Sequence, residues 1–347
     1  MLAYWFIYLL PGFMAIALSH RHKLQTFRSM GWFWLIFVLF IGLRYEVGGD
    51  WGSYLQHYEM AYAEPLMSLL SGAGDPGYVL LNWIASNNDW GIGFVNLVCA
   101  AIFMTGLISF SSKQPAPWLA LTIAVPYLVF VVAMGYTRQG VALGLIFLAL
   151  NWLEKRNLFW FLFYIVLAAL FHKSAMLLVG LGLFITTGNW LFRGFVVMSI
   201  AYGLWGLTVA DSYEALWASY VDAEMESQGA LIRTAMNLAP ALVLLLFRRQ
   251  WLRVFPDGRF WIWMAFGAVA AVFLVGFAST AVDRISLYLT PLQVVVLSRM
   301  PYLFCNKISP LVTTIIIVLG YAAVLFVWLN YATHATYWLP YRSLLLP

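Results

Sequence analysis

The sequence predicts an all-α, polytopic membrane protein of about twelve transmembrane helices, with short amphipathic or re-entrant helices in its first external loop. Three observations carry that reading. The 347 residues are 63% hydrophobic and only 10% charged. Their mean hydropathy is +0.85. The apolar residues also gather into runs long enough to cross about 30 Å of hydrocarbon, which excludes an ordinary soluble domain. The chain, 1–347, reads as a single transmembrane domain without a low-complexity linker or internal repeat.

Candidate spans begin near Leu2, Gly31, Ile92, Trp118, Tyr136, Leu158, Ala175, Leu191, Leu231, Phe260, Ile285 and Ser309. The first run, Leu2 to Leu18, lacks a basic leader and a small-residue cleavage site, so it reads as a retained span. The runs from Tyr136 and Leu158 are short and need boundary residues to span. Cys99 falls within a span and Cys305 in a basic loop, which leaves no disulfide framework and no thiolate metal site.

Charge sets the orientation. With the amino terminus outside, one set of loops carries Arg21, Lys23, Arg28, Lys113, Lys155, Arg156, Arg193, Arg248, Arg249, Arg253, Arg259, Arg299 and Lys307, which is 13 of the 19 basic residues. The other side keeps Arg44, Arg138, Lys173, Arg233, Arg284 and Arg342, with 12 of the 14 acidic residues. By the positive-inside rule the basic side is cytoplasmic. The net charge of +5 therefore reflects topology and gives no reason to invoke nucleic acid as a partner.

Two external loops are long. In the first, residues 44–91, Tyr54, Tyr58 and Tyr62 recur at helical spacing, as expected of a helix in the headgroup layer. Pro76 to Ala85 is apolar but too short to cross, hence re-entrant or interfacial. The second, residues 211–230, holds Asp211, Glu214, Asp222, Glu224 and Glu226 and reads as a solvated acidic loop rather than a substrate contact.

Polar chemistry concentrates at external span ends: the stretch Arg44 to Tyr54, then Tyr136-Thr137-Arg138-Gln139-Gly140, His172-Lys173-Ser174-Ala175 and Asp283-Arg284-Ile285. Such residues are costly beside lipid, so a single site built from four sequence-distant clusters is the functional reading. Arginines at span ends also snorkel, and each alone is weak evidence. Together Arg44, Arg138, Lys173 and Arg284 suit a pyrophosphate, because guanidinium forks bind phosphate oxygens bidentately. Asp50, Glu46, His172 and Asp283 are the candidate bases. Asp50 leads because flanking glycines admit a ligand, whereas His172 can equally cap a span and Asp283 can equally pair with a cation. Tyr54, Tyr136, Gln139 and Tyr288, in or beside these clusters, are candidates for further substrate contacts. HExxH, GxxxxGK[ST], GxSxG and DxD patterns are all absent, and nothing in the sequence calls for a metal or a cofactor.

Arg44, Gly48, Asp50 and Tyr54, then Asp75, Pro76, Gly77, Tyr78, Leu81 and Asn82, then Arg138-Gln139-Gly140, then His172 to Ala175, together resemble the EpsG branch of the Wzy polysaccharide polymerases. The likeness runs from Leu2 to about Tyr302, and the last span and tail add nothing specific to it. The resemblance implies a GT-C-like glycosyltransferase of the bacterial inner membrane. Such an enzyme moves a growing glycan from undecaprenyl pyrophosphate onto the next lipid-linked oligosaccharide repeat at the periplasmic face. Its partners would be the undecaprenyl-pyrophosphate-linked oligosaccharide, membrane lipid and a chain-length regulator protein. A lipid-linked oligosaccharide flippase and a membrane acyltransferase are the rival readings. A flippase should place charges at mid-membrane along a cavity, and an acyltransferase should offer a nucleophile or base to a cytoplasmic acyl donor.

Overall fold

A computed structural model of the chain describes residues 1–19, 30–72, 74–185, 189–208, 229–277 and 279–345. The basic loop with Arg21, Lys23 and Arg28 and the acidic loop from Asp211 to Gln228 lie outside the described residues. Among those described every named element is helical, and the one extended pairing is an isolated antiparallel bridge between Arg44 and Ser343.

The elements in order are α1 (Leu2–Ala17), α2 (Gly31–Gly42), α3 (Trp51–Met60), α4 (Leu66–Leu70), α5 (Pro76–Asn87), α6 (Gly91–Ser111) and α7 (Pro117–Ala124), which continues as a π-helix over Val125–Ala133. Next come α8 (Thr137–Glu154), α9 (Leu158–Phe171), a 3-10 helix (Lys173–Phe184) and α10 (Trp190–Thr208). They are followed by α11 (Ala230–Leu246), α12 (Arg248–Val254), α13 (Gly258–Leu274), α14 (Ser279–Leu287), α15 (Pro291–Leu303) and α16 (Pro310–Tyr331).

Three helices among the described residues are long and apolar enough to cross a membrane: α6, α10 over Trp190–Leu207, and α16. The number rises to five if each bent pair is one span, α11 with α12 at 80° and α14 with α15 at 47°. Six shorter apolar helices complete the set. The chain is thus a multi-pass helical membrane protein, and the helices among the described residues do not by themselves display the expected count of about twelve spans. A hydropathy run records how long a chain stays apolar and is blind to where the helix breaks. Pro126, lacking an N–H, opens the π stretch. His172, with extended backbone, parts α9 from the 3-10 helix. Large apolar side chains face outward, as lipid contact requires: Phe13 is 71%, Trp32 76% and Phe273 73% exposed.

Two features position the site. First, α6 and α8 cross backbone to backbone: a Cβ on Gly106 would lie 1.8 Å from the Gly144 carbonyl oxygen, and one on Gly144 2.5 Å from the Phe103 Cα. Small residues permit that approach and fix one helix against the other. Across its 18 residues, α8 carries Thr137 and Arg138 at one end and Glu154 at the other. Those ends are roughly 27 Å apart, close to the thickness of the hydrocarbon layer. Second, the tail after α16 folds back. Trp338 donates from Nε1 to the Phe130 carbonyl (2.7 Å), its own carbonyl accepts from the Tyr4 hydroxyl (2.7 Å), and Gly48 N–H donates to the Tyr337 carbonyl (2.9 Å).

The tyrosine stripe of the first loop serves packing more than a lipid surface. Tyr54 is buried edge-on against Tyr78 of α5, with ring centroids 5.6 Å apart, and the Tyr58 hydroxyl accepts from Gly91 N–H at the start of α6 (2.9 Å). Tyr62 lies beyond the end of α3 and is exposed.

Candidate active site

Asp75 precedes α5 and is buried, yet its carboxylate caps nothing in its own helix. It reaches instead across the bundle. Oδ2 accepts from Arg138 Nη1 at 2.9 Å, and Oδ1 accepts from the Lys173 backbone N–H at 3.2 Å. His172 Nδ1 stands 3.9 Å from Oδ2, too far for a hydrogen bond. One carboxylate thus gathers the Arg138 segment of α8 and the His172-Lys173 junction. The acid-Pro-Gly-Tyr pattern was the sequence signal for Asp75, although nothing there assigned it a role.

His172 is mostly but not fully buried, and that burial lowers its imidazole below the ordinary value while Asp75 pulls the other way. Beside it the Ser174 hydroxyl lies 2.9 Å from the Tyr288 hydroxyl, and Gln139 Nε2 donates to the Arg284 carbonyl at 3.1 Å. Gln139, Tyr288 and Arg284 are therefore brought to the same place as Arg138, His172 and Lys173. Tyr136, half-buried, is within electrostatic reach of Asp50, Arg284 and the Arg233–Asp283 pair.

Asp50 sits at the start of α3, half-buried, and does not cap that helix with its side chain. Among the described residues its carboxylate accepts no hydrogen bond and joins no ion pair. Burial raises its carboxyl above the ordinary value, and the positive fields of Arg138 and Arg284 oppose that rise. Tyr54 behind it is pushed up to about 12, by burial first and by the Asp50 charge second.

Three expected assignments find other places. Arg44 is only 1% exposed and points into the protein. Its Nε donates to the Val47 carbonyl (3.2 Å) and Nη1 to the Ile41 carbonyl (2.6 Å), while Nη2 donates to Asn96 Oδ1 (3.1 Å) and Thr137 Oγ1 (2.8 Å). A guanidinium so engaged ties the loop to α6 and α8 and leaves no fork for a phosphate. It also stacks 5.9 Å from the Trp51 ring, holding that indole at the front of the loop. Asp283 is gripped by Arg233 through two bonds of 2.7 and 2.8 Å, so each of its oxygens already serves a cation. Glu46, nearly half exposed, pairs with Arg342 of the tail at 2.6 Å. Gly48 keeps the loop in place: its φ is +109°, and a Cβ there would lie 2.3 Å from the Met134 carbonyl oxygen.

The family model for the EpsG family matches residues 29–343. The chain belongs to the EpsG family. EpsG membership points to a role in polysaccharide biosynthesis. The match starts after α1 and continues through the returning tail, so the EpsG likeness extends well past Tyr302 and includes the segment that closes over Gly48. No curated protein and no solved structure matches the chain.

Proposed function

We propose that this EpsG-family chain is a membrane glycosyltransferase that polymerises undecaprenyl-pyrophosphate-linked oligosaccharide repeats on the periplasmic face of the bacterial inner membrane. One observation carries the reading: Asp50 offers a half-buried carboxylate without a hydrogen-bond partner among the described residues, in the field of Arg138 and Arg284. A base facing two cations is what a transfer from a pyrophosphate to a sugar hydroxyl requires.

Asp50 takes the proton of the acceptor hydroxyl as that oxygen forms its bond to the anomeric carbon of the donor glycan. The bond from that carbon to the pyrophosphate oxygen breaks, and its electron pair leaves with the lipid pyrophosphate. Arg138, Arg284 and Lys173 hold the departing charge, so no strong acid is needed. Asp75 positions Arg138 and the His172-Lys173 junction. Arg44 positions the loop that carries Asp50. The charge partition supports the periplasmic side, because the cluster gathers at the acidic, arginine-poor face.

The test is polymerisation of purified lipid-linked repeat by the purified protein. Long-chain product from the wild type, lost in Asp50→Asn with substrate binding retained, is the expected result. Lipid-linked repeat carried across a vesicle membrane without growth in length would instead make the chain a flippase.

A further inference from the structure

An open cavity of about 340 Å³ lies between the start of α3 and the returning tail. Gly49, Trp51 and Gly52 form one wall, Tyr337 and Leu339 face them, and the Glu46–Arg342 pair stands at the rim. Asp50, between Gly49 and Trp51 in the chain, is not itself among the lining residues, so the cavity adjoins the loop that carries the carboxylate rather than the carboxylate itself.

Gly49 and Gly52 are informative because the protein itself does not require them. Neither has a positive φ. A Cβ on Gly52 would meet nothing within 4 Å, and one on Gly49 only the edge of Trp338 at 3.9 Å. Gly52 is moreover the second residue of α3, where glycine is a poor helix former compared with alanine. Neither backbone strain nor packing accounts for them, and both leave bare backbone open to close approach by a ligand. The walls say what kind. Trp51 and Tyr337 supply aromatic surface for the C–H faces of a sugar ring, and the carboxylate and guanidinium at the rim supply hydrogen-bonding groups for its hydroxyls. Glu46 and Arg342 neutralise each other at 2.6 Å, so the cavity gives an anion no advantage and favours a neutral polyol.

We infer that this cavity is the acceptor subsite, holding the terminal sugars of the incoming repeat against the loop that carries Asp50, apart from the arginines that take the pyrophosphate. The word acceptor rests on the polymerase reading; the binding of a sugar does not.

The experiment uses the full chain in detergent and, as probe, lipid-free oligosaccharide released by mild acid from the surface glycan of the host. Saturation-transfer NMR is expected to show its sugar protons contacting the wild-type protein. Gly52→Val should weaken that binding at least about tenfold, the loss expected when a side chain fills a space meant for ligand. Gly52→Ala, which guards against misfolding by the larger residue, should weaken it less while keeping or raising the melting temperature. Inorganic pyrophosphate should not displace the oligosaccharide. Unchanged oligosaccharide binding in Gly52→Val, or displacement by pyrophosphate, overturns the subsite. Gly52-dependent sugar binding in a protein that makes no polymer keeps the subsite and removes the polymerase reading.

Discussion

Asp75 and Arg138, 63 residues apart, form a 2.9 Å ion pair in which the carboxylate is buried while the guanidinium keeps 30% of its surface exposed. Asp75 anchors one edge of the fork, the Tyr54 hydroxyl stands beside the guanidinium as well, and part of the group still faces outward. Asp75→Asn keeps the shape but removes the charge that orients Arg138. Hydrogen bonds to charged groups are worth about 1.5–3 kcal/mol, so we expect transfer to fall by roughly ten- to a hundredfold through kcat more than KM. Steady-state kinetics with lipid-linked repeat measure this; a change in melting temperature alone, at wild-type kcat, would reduce Asp75 to a structural tie.

Asp50→Asn should bind lipid-linked substrate and turn over at least about a hundredfold more slowly. Because the base must be ionised, the wild-type rate should fall as pH drops through a value above the ordinary carboxylate range. The stability effect has the opposite sense. A carboxyl raised in the folded state contributes stability at low pH that is lost as pH rises. Asp50→Asn should therefore melt no earlier than wild type at neutral pH. Near-normal turnover of Asp50→Asn, with loss in His172→Ala, assigns the base to His172.

Arg44→Ala should fail in folding rather than in chemistry. It would orphan the Asn96 and Thr137 side-chain oxygens and two carbonyls in the interior, at a cost of about 1–3 kcal/mol for each group left unsatisfied. Reduced yield and a lower melting temperature in detergent are expected, with Arg44→Lys rescuing little because a point charge cannot reproduce the fork. An Arg44→Ala protein as stable as wild type, yet without long-chain product, would return Arg44 to the pyrophosphate.

The native cysteines report topology. Cys99 is buried and Cys305 exposed on the side expected to be cytoplasmic. A membrane-impermeant thiol reagent should leave wild type unlabelled in intact spheroplasts and label Cys305 after lysis. Ser53→Cys, at an exposed position in α3, should label before lysis. The reverse pattern inverts the orientation and, with it, the side of the proposed polymerisation.

The helical, multi-pass character was legible because lipid imposes it on composition along the whole chain. Helix breaks were not, since Pro126 and His172 act over a few residues inside runs that stay apolar. Arg138, His172, Lys173, Gln139 and Tyr288 meet in space because each marks a helix end at the same face, and helix ends can be read from hydropathy. The burial of Arg44 was not legible for a physical reason: a sequence displays a charge but not its burial, and only the α6–α8 crossing brings Asn96 and Thr137 to it. Asp75 stood in a quoted motif without a task, because its partners lie 63 and 98 residues away. The tail looked featureless for the same reason, its contacts being with residues near the other end of the chain.

That last separation governs the order of events at birth. Glu46 and Arg342 are 296 residues apart, and the loop that presents Asp50 is held by Tyr337 and Arg342 through backbone bonds as well. At about 5–20 residues per second, the ribosome delivers the closing segment some 15–60 seconds after the loop enters the membrane. During that interval the loop stands without its cover, so it reaches its folded arrangement only once the segment from Tyr337 to Arg342 has docked. A truncation after α16 would hold the protein in this unfinished state permanently.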